Sequence, residues 1–101
     1  MTDSPLLTRL LERLRQEPRS FWVKVTLDGG ATWFVRTGTE AHIAGALPAG
    51  QTVSVIVRSD EYSLTALVDG KLTWADALVA ERVSLSGDVS LIAALQSSLS
   101  G

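Results

Sequence analysis

Residues 64–95 read LTALVDGKLTWADALVAERVSLSGDVSLIAAL. Leu64, Leu67 and Val68 form a short helical stripe that Gly70 ends. Thr73 opens a second helix, with Asp76 three residues on, a capping-box spacing with Asp in place of Glu. The run RVSLS at 82–86 alternates as a strand does. Gly87 and Asp88 then open a last helix with Leu91, Ile92, Leu95 and Leu99 on one side. Two short helices, each with one apolar face, therefore lead into a strand and a closing helix.

Upstream, QTVSVIVR (51–58) is the strongest strand pattern in the chain, with Val53, Val55 and Val57 on one face. After it the period changes to helical: Ser59 is expected to cap, with Asp60 and Glu61 in the first turn. Two further alternating runs are FWVKVTL (21–27) and ATWFVRT (31–37), separated by Asp28, Gly29 and Gly30. Loop length decides their register. A two-residue loop would pair Val25 with Phe34 and Lys24 with Val35, mixing polar and apolar residues on both faces. A three-residue loop pairs Val25 with Trp33 and Val23 with Val35, giving one apolar face, and is the register expected, with Gly30 in the left-handed position. EAHIAGAL (40–47) reads as a short third strand. At the start, Leu6, Leu7, Leu10, Leu11 and Leu14 mark a helix over 4–17, with Ser4 able to cap, Pro5 suited to the first turn and Pro18 stopping it. The order is helix, four strands, two helices, strand, helix. It predicts one α+β domain over 1–101: a mainly antiparallel five-stranded sheet, its first four strands a meander, with helices packed on one face.

Composition removes several classes of function. The chain has 101 residues, a formal net charge of −2 and only two lysines, Lys24 and Lys71, so the electrostatic footprint of a nucleic-acid binder is missing. It has no cysteine, which suits a reducing cytoplasm and excludes thiolate chemistry. The opening MTDSPLLTRLLERLRQEP mixes acids and arginines into its leucines, unlike a signal peptide, and no apolar run is long enough to cross a membrane.

Catalytic kits are lacking as well. His42 is the single histidine and sits in a short strand without a marked partner, so it reads as an edge-strand residue. GKLT (70–73) lacks the upstream glycine of a phosphate loop, and no Gly-x-Ser-x-Gly elbow occurs. Asp60, Glu61 and Glu81 are explained by helix starts and strand entries. No cofactor, metal or acid–base role is assigned, and the chain is expected not to be an enzyme. Trp33 falls on the apolar face of the hairpin. Trp74, in the first turn of a helix, can plug a core or rim a pocket. Trp22 and Phe34 fall on the polar face, beside Lys24 and Arg36, where they form a candidate self-association patch for a homodimer.

The stretch from Leu64 resembles the sterol carrier protein type 2 family. Gly70, Lys71 and Leu72 match that family's Gly-Lys/Arg-Leu element, and Ala77-Leu78 falls where Ala-Phe is common. Val83, Leu85, Gly87 and Asp88 match the strand and its closing pair. The leading helix and the sheet pattern fit too, so the resemblance spans nearly the whole chain. Two positions depart from it: Trp74, where Pro is frequent, and Glu81, where Gly is frequent.

The resemblance implies a small cytoplasmic lipid-binding or lipid-transfer domain. An apolar ligand (fatty acyl, sterol-like or isoprenoid) would lie in a tunnel between helices and sheet, with transient membrane contact. The candidate wall residues are Val55, Val57, Leu64 and Leu67, together with Trp74, Leu78, Leu91 and Leu95. The alternative is a non-catalytic structural, oligomerisation or accessory module with a filled core, in which the same residues are ordinary core.

Overall fold

A computed structural model describes residues 5–99. The elements are α1 (Pro5–Leu14), β1 (Trp22–Leu27), β2 (Thr32–Arg36), β3 (His42–Ala44), β4 (Val53–Ser59), α2 (Glu61–Val68), α3 (Trp74–Val79), β5 (Val83–Gly87) and α4 (Val89–Leu99). The expected cap Ser4 lies outside the described residues. Helix α1 ends earlier than expected, and Gln16 and Glu17 close a tighter turn onto Arg13 and Leu14 before Pro18.

The β1–β2 hairpin has the three-residue loop. Val25 pairs with Trp33 and Val23 with Val35, and Gly30 has a positive φ of 100°. This register places Val23, Val25 and Val35 together on the inward face, all at 3% exposure or less. A slip by one residue would turn every one of them to water.

The sheet order is β3-β2-β1-β4-β5, with β1 and β4 parallel and the other neighbours antiparallel. The sheet is therefore mixed, not mainly antiparallel, and the meander ends at β3. Residues 45–52 carry the chain from the edge strand β3 past β2 and β1 to β4. The physical reason lies in burial. Three-residue β3 has no fully buried strand position, whereas β4 holds Val55 and Val57 at 0% and 2% exposure. Placing β4 beside β1 joins Val55 and Val57 to Val23 and Val25 in one apolar centre. Alternation alone does not reveal this, because period two specifies the buried face and not the neighbour.

Helices cover that face. Leu6, Leu10 and Leu14 of α1, Leu64, Leu67 and Val68 of α2, and Leu95 and Leu99 of α4 share one core with the inward strand residues. Helix α2 starts at Asp60 and not Ser59. The Asp60 carboxylate accepts from the Ser63 N–H at 2.8 Å and from the Ser63 hydroxyl at 2.7 Å, whereas Ser59 turns inward and donates to the Arg82 carbonyl at 2.9 Å. The Ser63 hydroxyl, then its N–H, and more weakly the charge of Arg82 hold the Asp60 carboxyl below its usual range. A depressed carboxyl adds stability that is full above an unfolded pKa of about 4 and is lost as pH falls through the lower folded value.

Two positive-φ positions show opposite fits. Ser54 is the extra residue where the β1–β4 register shifts, since Trp22 pairs with Val53 and Val23 with Val55. Its carbonyl accepts from the Asp88 N–H at 2.9 Å, and a Cβ on Gly87 would lie 2.1 Å from that oxygen. Only glycine fits at 87, whose φ is 121°. Glu81 stands just past α3 at φ 57°, where the Glu81 N–H reaches Leu78 and the Arg82 N–H reaches Ala77 to close the helix. That closure favours glycine, and a side chain there is strained. Glu81→Gly is therefore expected to raise unfolding stability by about 0.5–1 kcal/mol, and Gly87→Ala to lower it. Denaturant unfolding of the two variants checks the pair; a destabilised Glu81→Gly would contradict the strain at 81.

Candidate functional site

Leu10 and Leu14 point from α1, Leu64 from α2, and Leu95 and Leu99 from α4 toward Val23, Val25 and Val57 on the sheet. Together they line a wholly apolar void of about 10 Å³. That is at the margin of what one water needs, and no lining group could hold a water by hydrogen bonds. Between helices and sheet the leucines and valines pack together as one core.

Open space lies above it, around the link from α2 to α3. One groove of about 480 Å³ is lined by Arg13, Leu67, Gly70, Leu72, Thr73 and Trp74, with Asp69 at its edge. A second, of about 460 Å³, runs between α1 and the end of α2 past Arg9, Glu12, Arg13, Val68 and Lys71, and a third, of about 360 Å³, passes Tyr62, Thr65, Ala66, Leu72 and Arg82. All three border Asp69. The Arg9 guanidinium pairs with the Asp69 carboxylate and straps α1 to the end of α2. Leu67 and Trp74 belong to the core cluster and also line the first groove, so they separate the packed interior from the outside. The Trp74 indole Nε1 is buried without a hydrogen-bond partner, which leaves this plug less well satisfied than its apolar neighbours.

The link is built by local rules. Gly70, at φ 77°, donates to the Leu67 carbonyl and Lys71 to the Ala66 carbonyl, ending α2 in a glycine-dependent turn. The Thr73 hydroxyl then accepts from the Asp76 N–H at 3.1 Å and starts α3. The glycine and threonine of GKLT thus serve chain geometry. At the other end of the core, Ser98 of α4 donates to the buried Glu17 carboxylate at 2.9 Å, tying α4 to the segment after α1.

The structure brings together three of the eight wall residues read from the sequence, Val57, Leu64 and Leu95, at the void. Val55 and Leu67 are core residues beside it, Trp74 forms the groove floor, and Leu91 packs half-buried against the core. Leu78 is 42% exposed and does not line the void. Its neighbour Ala77 is buried, at 0% exposure. Five lining residues were not selected from the sequence: Leu10, Leu14, Val23, Val25 and Leu99. Their stripes show in the leucine spacing of α1 and α4 and the alternation of β1; which stripe meets which does not.

Trp22 requires a correction. It faces outward with Phe34, as the register demands, but it is only 4% exposed, so it offers no open aromatic patch. His42, on β3, lies two strands away across Arg36 and sets its ring edge-on to Trp22 at 5.4 Å between centroids. His42 is exposed at the sheet edge, its Nδ1 3.0 Å from the Glu40 carbonyl oxygen. Among the described residues no cluster of His, Cys, Asp and Glu could hold a metal ion, and no helix is long and apolar enough to cross a membrane.

No family model matches the chain, and no curated protein matches it. Solved structures do. A sterol carrier protein 2-like protein of Aedes aegypti superposes with a TM-score of 0.66 at 22% identity, over 91% of each chain. A palmitated form of the Aedes aegypti protein gives 0.61 at 22% identity over 92% of this chain and 93% of that one. A ubiquinone synthesis protein, UbiJ, gives 0.61 at 13% identity over 95% of this chain and 79% of that one. The sec-alkylsulfatase Pisa1 of Pseudomonas sp. gives 0.63 at 13% identity, and there the chain spans only 14% of the enzyme.

The packed core makes a clear demand. Leu95, at 1% exposure, faces packed side chains. Leu95→Ala is expected to cost about 2–5 kcal/mol and Leu95→Trp about 1–3 kcal/mol in denaturant unfolding. A Leu95→Trp as stable as the parent would show spare volume there. The element order, the mixed five-stranded sheet and its helical cover, with superpositions spanning nine-tenths of the chain, establish that this chain has the sterol carrier protein type 2 fold.

Proposed function

We propose that the chain is a lipid-binding or lipid-transfer domain that holds an apolar ligand between its helices and its sheet. One observation carries the reading: the interior where three helices meet the sheet is lined only by Leu and Val, and polar, open grooves lie outside it. The palmitated mosquito structure of the same fold favours an acyl chain among the candidates. Sterol-like and isoprenoid ligands meet the same apolar chemistry.

The mechanism is sequestration and needs no reacting group. Each methylene moved from water gains roughly 0.8 kcal/mol, so about ten gain roughly 8 kcal/mol. That gain must offset the parting of Leu10, Leu14, Leu64 and Leu95, since the void alone admits no chain. Val55, Val57 and Leu67 would extend the wall, Leu91 its flank, and Trp74 the entrance; exposed Leu78 is left outside. Absence of cysteine fits residence in a reducing cytoplasm. The 10 Å³ void favours a second reading, an accessory or structural module whose core stays filled.

Titration with a fluorescent fatty acid separates the two. Saturable binding near 1 μM, about −8 kcal/mol, displaced by unlabelled lipid and weakened in Leu95→Trp, is expected. If acyl, sterol and isoprenoid probes all give no saturable signal, the filled-core module is the correct reading.

A further inference from the structure

The face of the sheet opposite the helices carries charge of one sign. Lys24 alternates with buried Val23 and Val25, Arg36 follows buried Val35, and Arg58 follows buried Val57, so all three cations point outward. No strand contains an Asp or a Glu. Lys24 sits between Phe34 and Ile56 in neighbouring strands, and Ile56 is among the exposed large apolar residues. Arg36 lies between Trp22 and His42, and Arg58 between Thr26 and Ser84. None of the three cations forms a hydrogen bond or an ion pair among the described residues.

The stretch from α2 to the start of α4 differs in sign. Residues 60–88 hold Asp60, Glu61, Asp69, Asp76, Glu81 and Asp88 against only Lys71 and Arg82. The outward sheet face is therefore basic without a counter-charge in its strands, whereas the helical side mixes these acids with Arg9 and Arg13 of α1. A two-fold dimer through the sheet face would set Lys24, Arg36 and Arg58 against their own copies, so like charges disfavour self-association there. A bilayer pressed to this face would leave the grooves around Asp69, on the helical side, pointing away from the lipid.

We propose that the outer face of β2, β1 and β4, through Lys24, Arg36 and Arg58 around Ile56, docks an acidic surface of another protein. Charge complementarity favours an acidic partner, and docking by this face leaves the helical side free to exchange ligand. The preference for a protein over a membrane rests on the lipid-holding reading; the charged face itself does not.

The test titrates isotope-labelled protein with poly-L-glutamate and, in parallel, with phosphatidylcholine vesicles containing 30% phosphatidylserine. The expected result is salt-sensitive amide shifts at Lys24, Arg36, Ile56 and Arg58 with polyglutamate and none with vesicles. The triple variant Lys24→Gln, Arg36→Gln, Arg58→Gln should bind polyglutamate at least tenfold more weakly while taking up a fluorescent fatty acid as before. The exposed single change Arg58→Glu covers the case of a triple variant that folds poorly. Shifts confined to Arg9, Arg13 and Arg15, equal binding by the variants, or no binding would overturn the proposal. Vesicle binding through the same three residues would assign the face to a membrane instead. Fatty-acid uptake is read separately, so failure of the lipid reading alone shows as lost uptake with polyglutamate binding intact.

Discussion

The inward valines of β1 and β4 are the constraint on which the rest of the structure depends. Val23, Val25, Val55 and Val57 come together only because the two strands lie parallel at the centre of the sheet. Their combined surface is too apolar to face water, and covering it requires three helices arriving from both ends of the chain. Helix α1 must return over strands that follow it, and α4 must reach back to α1, where Ser98 meets Glu17. The tight approach of Gly87 to Ser54 follows from the same pairing, because the bulge that brings β1 and β4 into register also aims the Ser54 carbonyl at Asp88.

Much of this was legible in the sequence wherever polarity made one answer costly. The hairpin register was, because the alternative put Lys24 opposite Val35. Thr73 as a cap and Gly70 as a terminator were, because hydroxyl and glycine act locally. The partner of β4 was not, since Val53, Val55 and Val57 alternate identically beside any neighbour. Nor was the burial of Trp22, whose ring meets His42 from two strands away. Asp60 displaced Ser59 as the cap because Ser59 found a buried acceptor in Arg82, a contact between residues 23 apart. The void lining divides in the same way: Leu64 and Leu95 lie on stripes read as candidate walls, whereas Leu10 and Leu14 lie on an equally clear stripe whose destination only the fold reveals.

The packed apolar interior gives the protein its physical character. In the proposed function a ligand replaces contacts among leucines and valines with contacts to itself. Apolar contacts are exchanged for similar ones, so such a core can open at modest cost when a ligand fills it, but not when it is empty. The polar cost lies at the rim, where the Arg9–Asp69 pair straps α1 to α2 and the unpartnered Trp74 indole plugs the floor of the groove. The grooves lie on the helical side, lined by charges of both signs, and the basic sheet face is turned away from them.

The central claim is that lipid occupies the space between α1, α2, α4 and the sheet. Nuclear Overhauser contacts between a bound palmitate chain and labelled leucine and valine methyl groups test it most directly. The account predicts saturable contacts from the acyl chain to Leu10, Leu64, Leu95 and Val57. Contacts limited to the surface grooves, or methyl spectra unchanged at saturating palmitate, would contradict it.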